Sequence, residues 1–403
     1  MSERNLNVVV ICPGCGGSGA VANVALHQSA ELAKYCRVQL VSDGLPHRPA
    51  RGVVQRLIRP PIFRQLRRFA HVPREAAFAL WAKAAVRRLH AEQRVDAVIC
   101  HGHPVAALAA APLTRGFGIP YILVTHGDIF DRPRGTYDPL LTRFYRRVTR
   151  PAYRRAVCIV ALSPHMEELA TRGGAQPERV VVIPNGIDPA EIGLNDRQDW
   201  VRQPHGDRLE LLYVGRLSVE KGVDVLLGAA EILRDRGVNF RLRIVGGGPE
   251  RARLSARIAQ ARLEPLVTLL GTVERRALGP LYRCADLVCV PSRSDTLPTV
   301  VLEAMAAGAV VVGTDVGGIP YMVEHGVTGV VCAADGALAL ADALQDSAAQ
   351  TDAIKRMRQA ARHKAVNDFS WASVGRALHH TIMARIDTLP PVGTGPSTDG
   401  RRP

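Results

Sequence analysis

Residues 209–246, LELLYVGRLSVEKGVDVLLGAAEILRDRGVNFRLRIVG, decide the fold. Two short runs dominated by apolar residues, LELLYVG and FRLRIVG, bracket a segment long enough to form a crossover helix. Runs of this kind suit strands covered on both faces, and such strands are parallel ones joined by helices. The pattern then repeats in VTLLG at 267, ADLVCVPS at 285, AVVVGTD at 309 and TGVVCA at 328. It also precedes the opening stretch, in NVVVIC at 7, VQLVSD at 38, DAVICH at 96, YILVTH at 121, VCIVALS at 157 and VVVIP at 180. Polar residues 189–208 separate the two series. The chain therefore reads as two doubly wound parallel-sheet α/β domains, Rossmann-like, with ligands expected beyond the carboxyl ends of their strands. The expected bounds are 1–190 and 206–368; the helical stretch 369–386 packs back on the first domain, and a disordered Pro-, Gly- and Ser-rich tail covers 389–403.

Composition agrees with that size. The chain has 403 residues, 47% hydrophobic and 22% charged, which is ordinary for a globular protein and enough for two cores. No stretch approaches the roughly 18 uninterrupted apolar residues of a membrane span, and the start MSERNLN is polar, so the reading is cytoplasmic. Eight scattered cysteines read as reduced thiols; Cys12 and Cys15 form a CxxC without the second pair or nearby histidines that zinc requires. Net charge is +15, and residues 1–200 hold 27 Lys and Arg against 16 Asp and Glu. Arginines crowd between Arg48 and Arg94 and from Arg143 to Arg155, near Phe63, Phe69, Phe78 and Trp81. That face suits peripheral contact with anionic lipid at the inner side of the cell membrane, or is a solvated surface of an arginine-rich chain. No nucleic-acid motif accompanies the charge, so nucleic acid is not the expected partner.

The chemistry concentrates in the second domain. Gly215, Arg216 and Lys221 follow its first strand, where glycine admits a close backbone approach and two cations can reach one diphosphate. Lys221 is conspicuous among 47 Arg and 5 Lys. Gly246, Gly247 and Gly248 end the next strand, and Gly271 and Val273 the one after. In SDTLPTVVLEAMAAG, 294–308, Asp295 and Glu303 flank a helix start where Pro298 suits the first turn and the amides of Thr299 and Val300 point outward. A helix N-terminus favours an anion, whereas carboxylates accept only from hydroxyls, so a sugar nucleotide fits. In the first domain His101, His103 and His126 follow strands and face the expected cleft, with Asp128 close by.

The ordered set GRLSVEKG, VGGGPE, GTV, the D-x7-E segment and VGGIP at 316–320 resembles the nucleotide-sugar-binding half of the family 4 retaining glycosyltransferases. The match is dense over 209–332 and looser elsewhere, through THG at 125–127 and PNGID at 184–188. The resemblance implies a GT-B fold, with two Rossmann-like domains facing a central cleft, and hexosyl transfer from a nucleotide-diphosphate sugar to a glycan, lipid-linked or small-molecule acceptor. It also implies site roles. Arg216 and Lys221 hold the diphosphate, Val273 offers backbone groups to the base, Glu303 binds the ribose hydroxyls and Asp295 contacts the donor sugar. Gly16 and Gly17 close over the phosphate, and His126 sits beside the anomeric carbon. From their place past the strand ends, His101, His103 and Asp128 are candidates for acceptor contact. Two positions depart from the family: Asp295 and Tyr321 stand where Glu is usual.

No aspartate pair at i and i+2 occurs, and no His and Cys cluster has ligand spacing, so no metal cofactor is expected. A rival reading takes Gly14, Gly16 and Gly19 as a dinucleotide fingerprint, with Asp43 on the ribose of NAD. It leaves the second-domain set unexplained, so sugar transfer is favoured. A catalytically silent sugar-nucleotide sensor, suggested by Asp295 and Tyr321, and a GT-B epimerase remain as further alternatives.

Overall fold

The computed structural model describes residues 6–13, 20–44, 50–58, 71–102, 116–126, 147, 150–194, 208–349 and 351–388. Seven strands, β1 Asn7–Cys12, β2 Arg37–Ser42, β3 Val53–Leu57, β4 Ala97–His101, β5 Tyr121–Val124, β6 Cys158–Ala161 and β7 Val180–Val182, form one sheet in the order β3-β2-β1-β4-β5-β6-β7. Six more, β8 Leu209–Val214, β9 Phe240–Val245, β10 Val267–Gly271, β11 Leu287–Val290, β12 Val310–Thr314 and β13 Gly329–Cys332, form a second in the order β10-β9-β8-β11-β12-β13. Every pairing between these strands is parallel. Strands β1, β4, β5, β6, β11 and β12 are buried along their whole length, as doubly covered strands must be.

Helices α1 Ala20–Leu32, α2 His71–Glu92 and α3 Pro164–Arg172 belong to the first half. The second has α4 Val223–Asp235, α5 Arg251–Gln260, α6 Leu278–Cys284, α7 Thr299–Ala306, α8 Ile319–Met322, α9 Ala337–Ala349 and α10 Thr351–Asn367, and α11 Trp371–Asp387 closes the chain. In α4 the positions Val223, Leu226, Leu227, Ala230 and Leu233 recur at helical spacing and are buried. No described helix is long and apolar enough to cross a membrane.

One strand lies outside the sequence expectation. β3 is an edge strand whose residues are half-buried or exposed, with Gln55 and Arg56 in its middle, so it lacks the apolar run that marks its neighbours. It falls inside the arginine-rich segment read as basic surface.

In both sheets the strand order turns back at one point, between β1 and β4 and between β8 and β11. Loops leaving two adjacent strands diverge there and open a crevice at their carboxyl ends. The two sheets present these ends to each other: Ser163, just past β6, donates its hydroxyl to the Thr296 carbonyl past β11 at 3.2 Å. Where the chain leaves the first sheet and crosses toward the second, it is pinned just ahead of α11, because Ile187 N–H donates to the Phe369 carbonyl at 2.7 Å. Helix α11 returns to lie on α1, where the His27 ring stacks on Trp371 at 4.5 Å and a Cβ on Gly375 would lie 2.4 Å from that of Glu31.

Candidate functional site: two strand crevices

The second crevice is built by backbone contact. The loop after β8 ends in the turn Val219–Lys221 and then Gly222, whose φ of 65° and the Pro291 carbonyl, 1.9 Å from where a Cβ would stand, admit only glycine. The loop after β11 lies on it, with Arg293 N–H donating to the Glu220 carbonyl at 2.8 Å. From the other side Gly317 presses on the Asp295 carbonyl, 1.7 Å from its would-be Cβ, and Gly318 N–H donates to the same oxygen at 3.0 Å. The glycines of VGGIP thus serve to hold the backbone at Asp295.

This packing brings Lys221 and Asp295 together, 74 residues apart in sequence, with Nζ 2.5 Å from Oδ2. Ser292 Oγ donates to the same oxygen at 3.3 Å. Beside them Arg216 is exposed, and Gly215 and Gly247 are half-buried at their strand ends. Helix α7 starts at Thr299, so Pro298 is its N-cap and stands one position earlier than the sequence suggested; no side chain caps the first amides, and Thr299 and Val300 are half-buried there.

Glu303, one turn inside α7, has a different environment. It is 4% exposed, accepts from Tyr282 OH at 2.8 Å, and has Oε1 2.9 Å from an Arg275 nitrogen. Burial raises its carboxyl above the usual range, while Arg275 and the Tyr282 hydroxyl pull it back. The same burial, with Glu303 beside it, pushes the Tyr282 phenol well up, so it is a neutral donor. Val273, two residues before Arg275, packs half-buried against the core. Tyr321 lies on α8 with its ring edge-on to Phe369 at 5.9 Å.

The first crevice holds imidazoles. His101 ends β4 at 1% exposure, and its Nδ1 lies 3.0 Å from Nε2 of His126, just past β5. Burial lowers both; His126 falls to about 4 and His101, with His126 beside it, falls well below its ordinary value. Both rings are neutral near pH 7, and one donates a shared hydrogen bond to the other. Gly14, Gly16, Gly17, Gly19, His103 and Asp128 lie outside the described residues. Among the described residues no group of three His, Cys, Asp or Glu could hold a metal ion.

Sequence reading missed Arg275, Tyr282, Ser292 and Ser163. Each is a single polar residue on a turn, helix or strand end, and only the packing gives it a site partner. Chemically, the second crevice offers cations, free helix amides and carboxylates that accept from hydroxyls, while the first offers neutral imidazoles.

Similarity to known proteins agrees with that division. Residues 195–364 match the model of the glycosyl transferases group 1, and residues 19–186 that of the glycosyl transferase 4-like domain. Glycogen synthase of Mycobacterium tuberculosis is 30% identical over 72% of this chain and 69% of its own length. D-inositol 3-phosphate glycosyltransferase of Pseudarthrobacter chlorophenolicus is 30% identical over 75% and 74%. Among solved structures, Anabaena HepE in complex with UDP and glucose superposes with a TM-score of 0.71 at 20% identity, covering 94% of this chain and 99% of that one. The chain belongs to the family 4 glycosyltransferases, enzymes of GT-B fold that transfer a sugar from a nucleotide-sugar donor.

Proposed function

We propose that this chain is a retaining, metal-independent hexosyltransferase acting in polysaccharide or glycoconjugate synthesis, with the donor in the second crevice and the acceptor approaching from the first domain. The observation that carries the reading is the convergence of Lys221, Asp295 and the uncapped start of α7 at the point where the second sheet turns back. Arg216 and Lys221 grip the diphosphate together with the amides of Thr299 and Val300, while Gly215 and Gly247 let backbone approach it. Val273 meets the base through its backbone, Glu303 takes the ribose hydroxyls, and Asp295 takes a hydroxyl of the donor sugar. Gly16 and Gly17 cover the phosphate from the other side, and Tyr321 belongs to the packing behind the site.

The chemistry follows from charge. As the anomeric C–O bond breaks, positive charge grows on the sugar ring and negative charge on the departing diphosphate. Fixed cations and a helix N-terminus therefore stabilise the transition state more than the ground state, which is the part a metal plays elsewhere. The acceptor oxygen bonds to the carbon from the face the phosphate leaves, and its proton passes to the phosphate. His126, neutral beside the anomeric carbon, contributes hydrogen bonds rather than charge. Its partner His101 is too buried to meet an acceptor and holds the His126 ring instead. His103 and Asp128 remain the candidates for acceptor contact.

The similar proteins are named for a polymer in one case and for an inositol phosphate in the other, so likeness does not choose the acceptor. The basic first half favours a lipid-linked or polyanionic one at an anionic membrane. Co-sedimentation with anionic vesicles at low salt, abolished with neutral vesicles, is the expected result there; equal binding to both removes the membrane from the reading.

A thermal-shift screen against UDP-, GDP-, ADP- and dTDP-sugars tests the donor, since a ligand bound only by the native state raises the melting temperature with its affinity. One donor class should stand out, and its turnover should survive EDTA. A response to NADH with none to any sugar nucleotide sinks the proposal.

A further inference from the structure

Glu303 is buried, and a buried carboxylate needs partners that replace water. One of them comes from the loop after β10, the loop that also carries Val273. The Arg275 guanidinium, in the turn Arg275–Ala277 that follows β10, lies 2.9 Å from Glu303 Oε1 and also 3.5 Å from Glu191 Oε2. Glu191 belongs to the turn Pro189–Ile192, where the chain crosses between the two sheets. Its other oxygen lies 2.8 Å from Nε2 of His27 on α1, the residue stacked on Trp371.

The two turns are seated on each other. Gly193, which ends the crossing turn with φ 82°, has the Arg276 carbonyl 2.2 Å from where a Cβ would stand. Contact thus runs without a break from α1 of the first domain, through the crossing turn, to Arg275 and then to the carboxylate inside α7. One guanidinium is shared by two carboxylates, one in each half of that path.

We infer that Arg275 is a positioning residue for donor capture: it keeps Glu303 ionised and aimed, and through Glu191 ties that carboxylate to the seating of the segment between the domains. The inference rests on the reading that Glu303 accepts the ribose hydroxyls. Two neighbouring hydroxyls are two donors, and only the ionised carboxylate accepts from both without offering a competing proton. Among the described residues the charged or titratable groups facing Glu303 are Arg275, Tyr282 from α6 and Glu191. Arg275 and Tyr282 favour its ionised form, whereas burial and Glu191 oppose it. Arg275 is the only cation of the three, so its removal acts in one direction and removal of Glu191 in the other.

Binding of UDP, dUDP, GDP and ADP between pH 5 and 8, measured by calorimetry on the full chain, tests this. The quantity read is the ratio of variant to wild-type affinity at each pH, which cancels the ionisation of the ligand itself. With the diphosphate that binds best, Arg275→Gln should stay within about threefold of wild type at pH 8 and fall about tenfold below it by pH 6. Arg275→Lys, which keeps the charge without the fork, should recover most of the loss at low pH. Glu191→Gln should weaken binding least at low pH, its ratio rising as pH falls. An Arg275→Gln ratio that is constant across the range overturns the inference, because a merely structural loss would give that. Glu303→Gln tests the underlying reading separately: it should bind weakly at every pH and no longer distinguish UDP from dUDP, and unchanged affinity and discrimination there overturn the ribose role itself.

Discussion

The two sheets share one strand order up to the extra β7, yet the crevices at the carboxyl ends of their strands differ in charge, one ionic and the other neutral. At the carboxyl ends of β8 and β11 a lysine meets an aspartate at 2.5 Å; at the ends of β4 and β5 two histidines meet at 3.0 Å, both pushed toward the neutral form. The difference lies in where each polar side chain sits relative to its strand end. Loops packed on one another through glycine leave polar side chains half-exposed, where ions are tolerated. His101 instead is the last residue of a strand buried along its whole length, where an unpaired charge would cost several kcal/mol. One scaffold thus supplies an anion site on one side of the cleft and an uncharged hydrogen-bonding wall on the other.

Charge removal at the second crevice is the strongest way to break that contrast. Lys221→Ala takes away a fixed cation aimed at the leaving diphosphate and leaves Asp295 facing it, so kcat/KM for transfer should fall by about 10²–10³, with nucleoside diphosphate affinity falling too. Lys221→Arg keeps the charge but spreads it over a planar fork, and recovers part of the loss. His126→Asn in the first crevice should lower transfer by about tenfold, the worth of one hydrogen bond in a dry site, and leave nucleoside diphosphate affinity within about twofold. Steady-state kinetics beside calorimetry separates the two. Equal losses of nucleotide affinity in both variants would mean that the crevices do not divide the work in this way.

How far the sequence discloses such a site depends on whether its members are neighbours in the chain. Gly215, Arg216 and Lys221 share one loop after one strand, and Asp295 and Glu303 share one helix start, so spacing alone exposes them. The strands were legible for a similar reason, since full burial writes an unbroken apolar run; β3, exposed along an edge and carrying Arg56, writes none. The pairing of His101 with His126 joins the ends of two different strands. Tyr282 reaches Glu303 because α6 packs on α7, and Arg275 meets Glu191 because the crossing turn lies on the turn after β10. Nothing local distinguishes that arginine from the others in an arginine-rich chain. Likewise Tyr321, placed by its motif near the donor, turns its ring to Phe369, a contact set by where α11 begins.

The histidine pair gives a smaller effect, read in stability instead of rate. In the unfolded chain His126 takes up a proton near its ordinary value of 6.5, whereas burial in the folded protein delays that to about 4. Between these values the unfolded state binds more protons than the folded one, so stability is lost as pH falls from about 6.5 and the loss levels off below about 4. For His126 alone the difference should amount to about 2 kcal/mol at pH 5 relative to neutral pH. His101 is shifted in the same direction and adds to it. Urea unfolding at a series of pH values should therefore show stability falling through this window. His126→Gln, which keeps a hydrogen-bonding group but cannot take up the proton, should flatten the curve by about that amount while costing some stability near pH 7. Parallel curves for the two proteins would mean that His126 takes up its proton at the same pH folded and unfolded, so that burial does not hold the first crevice uncharged below about pH 6.5.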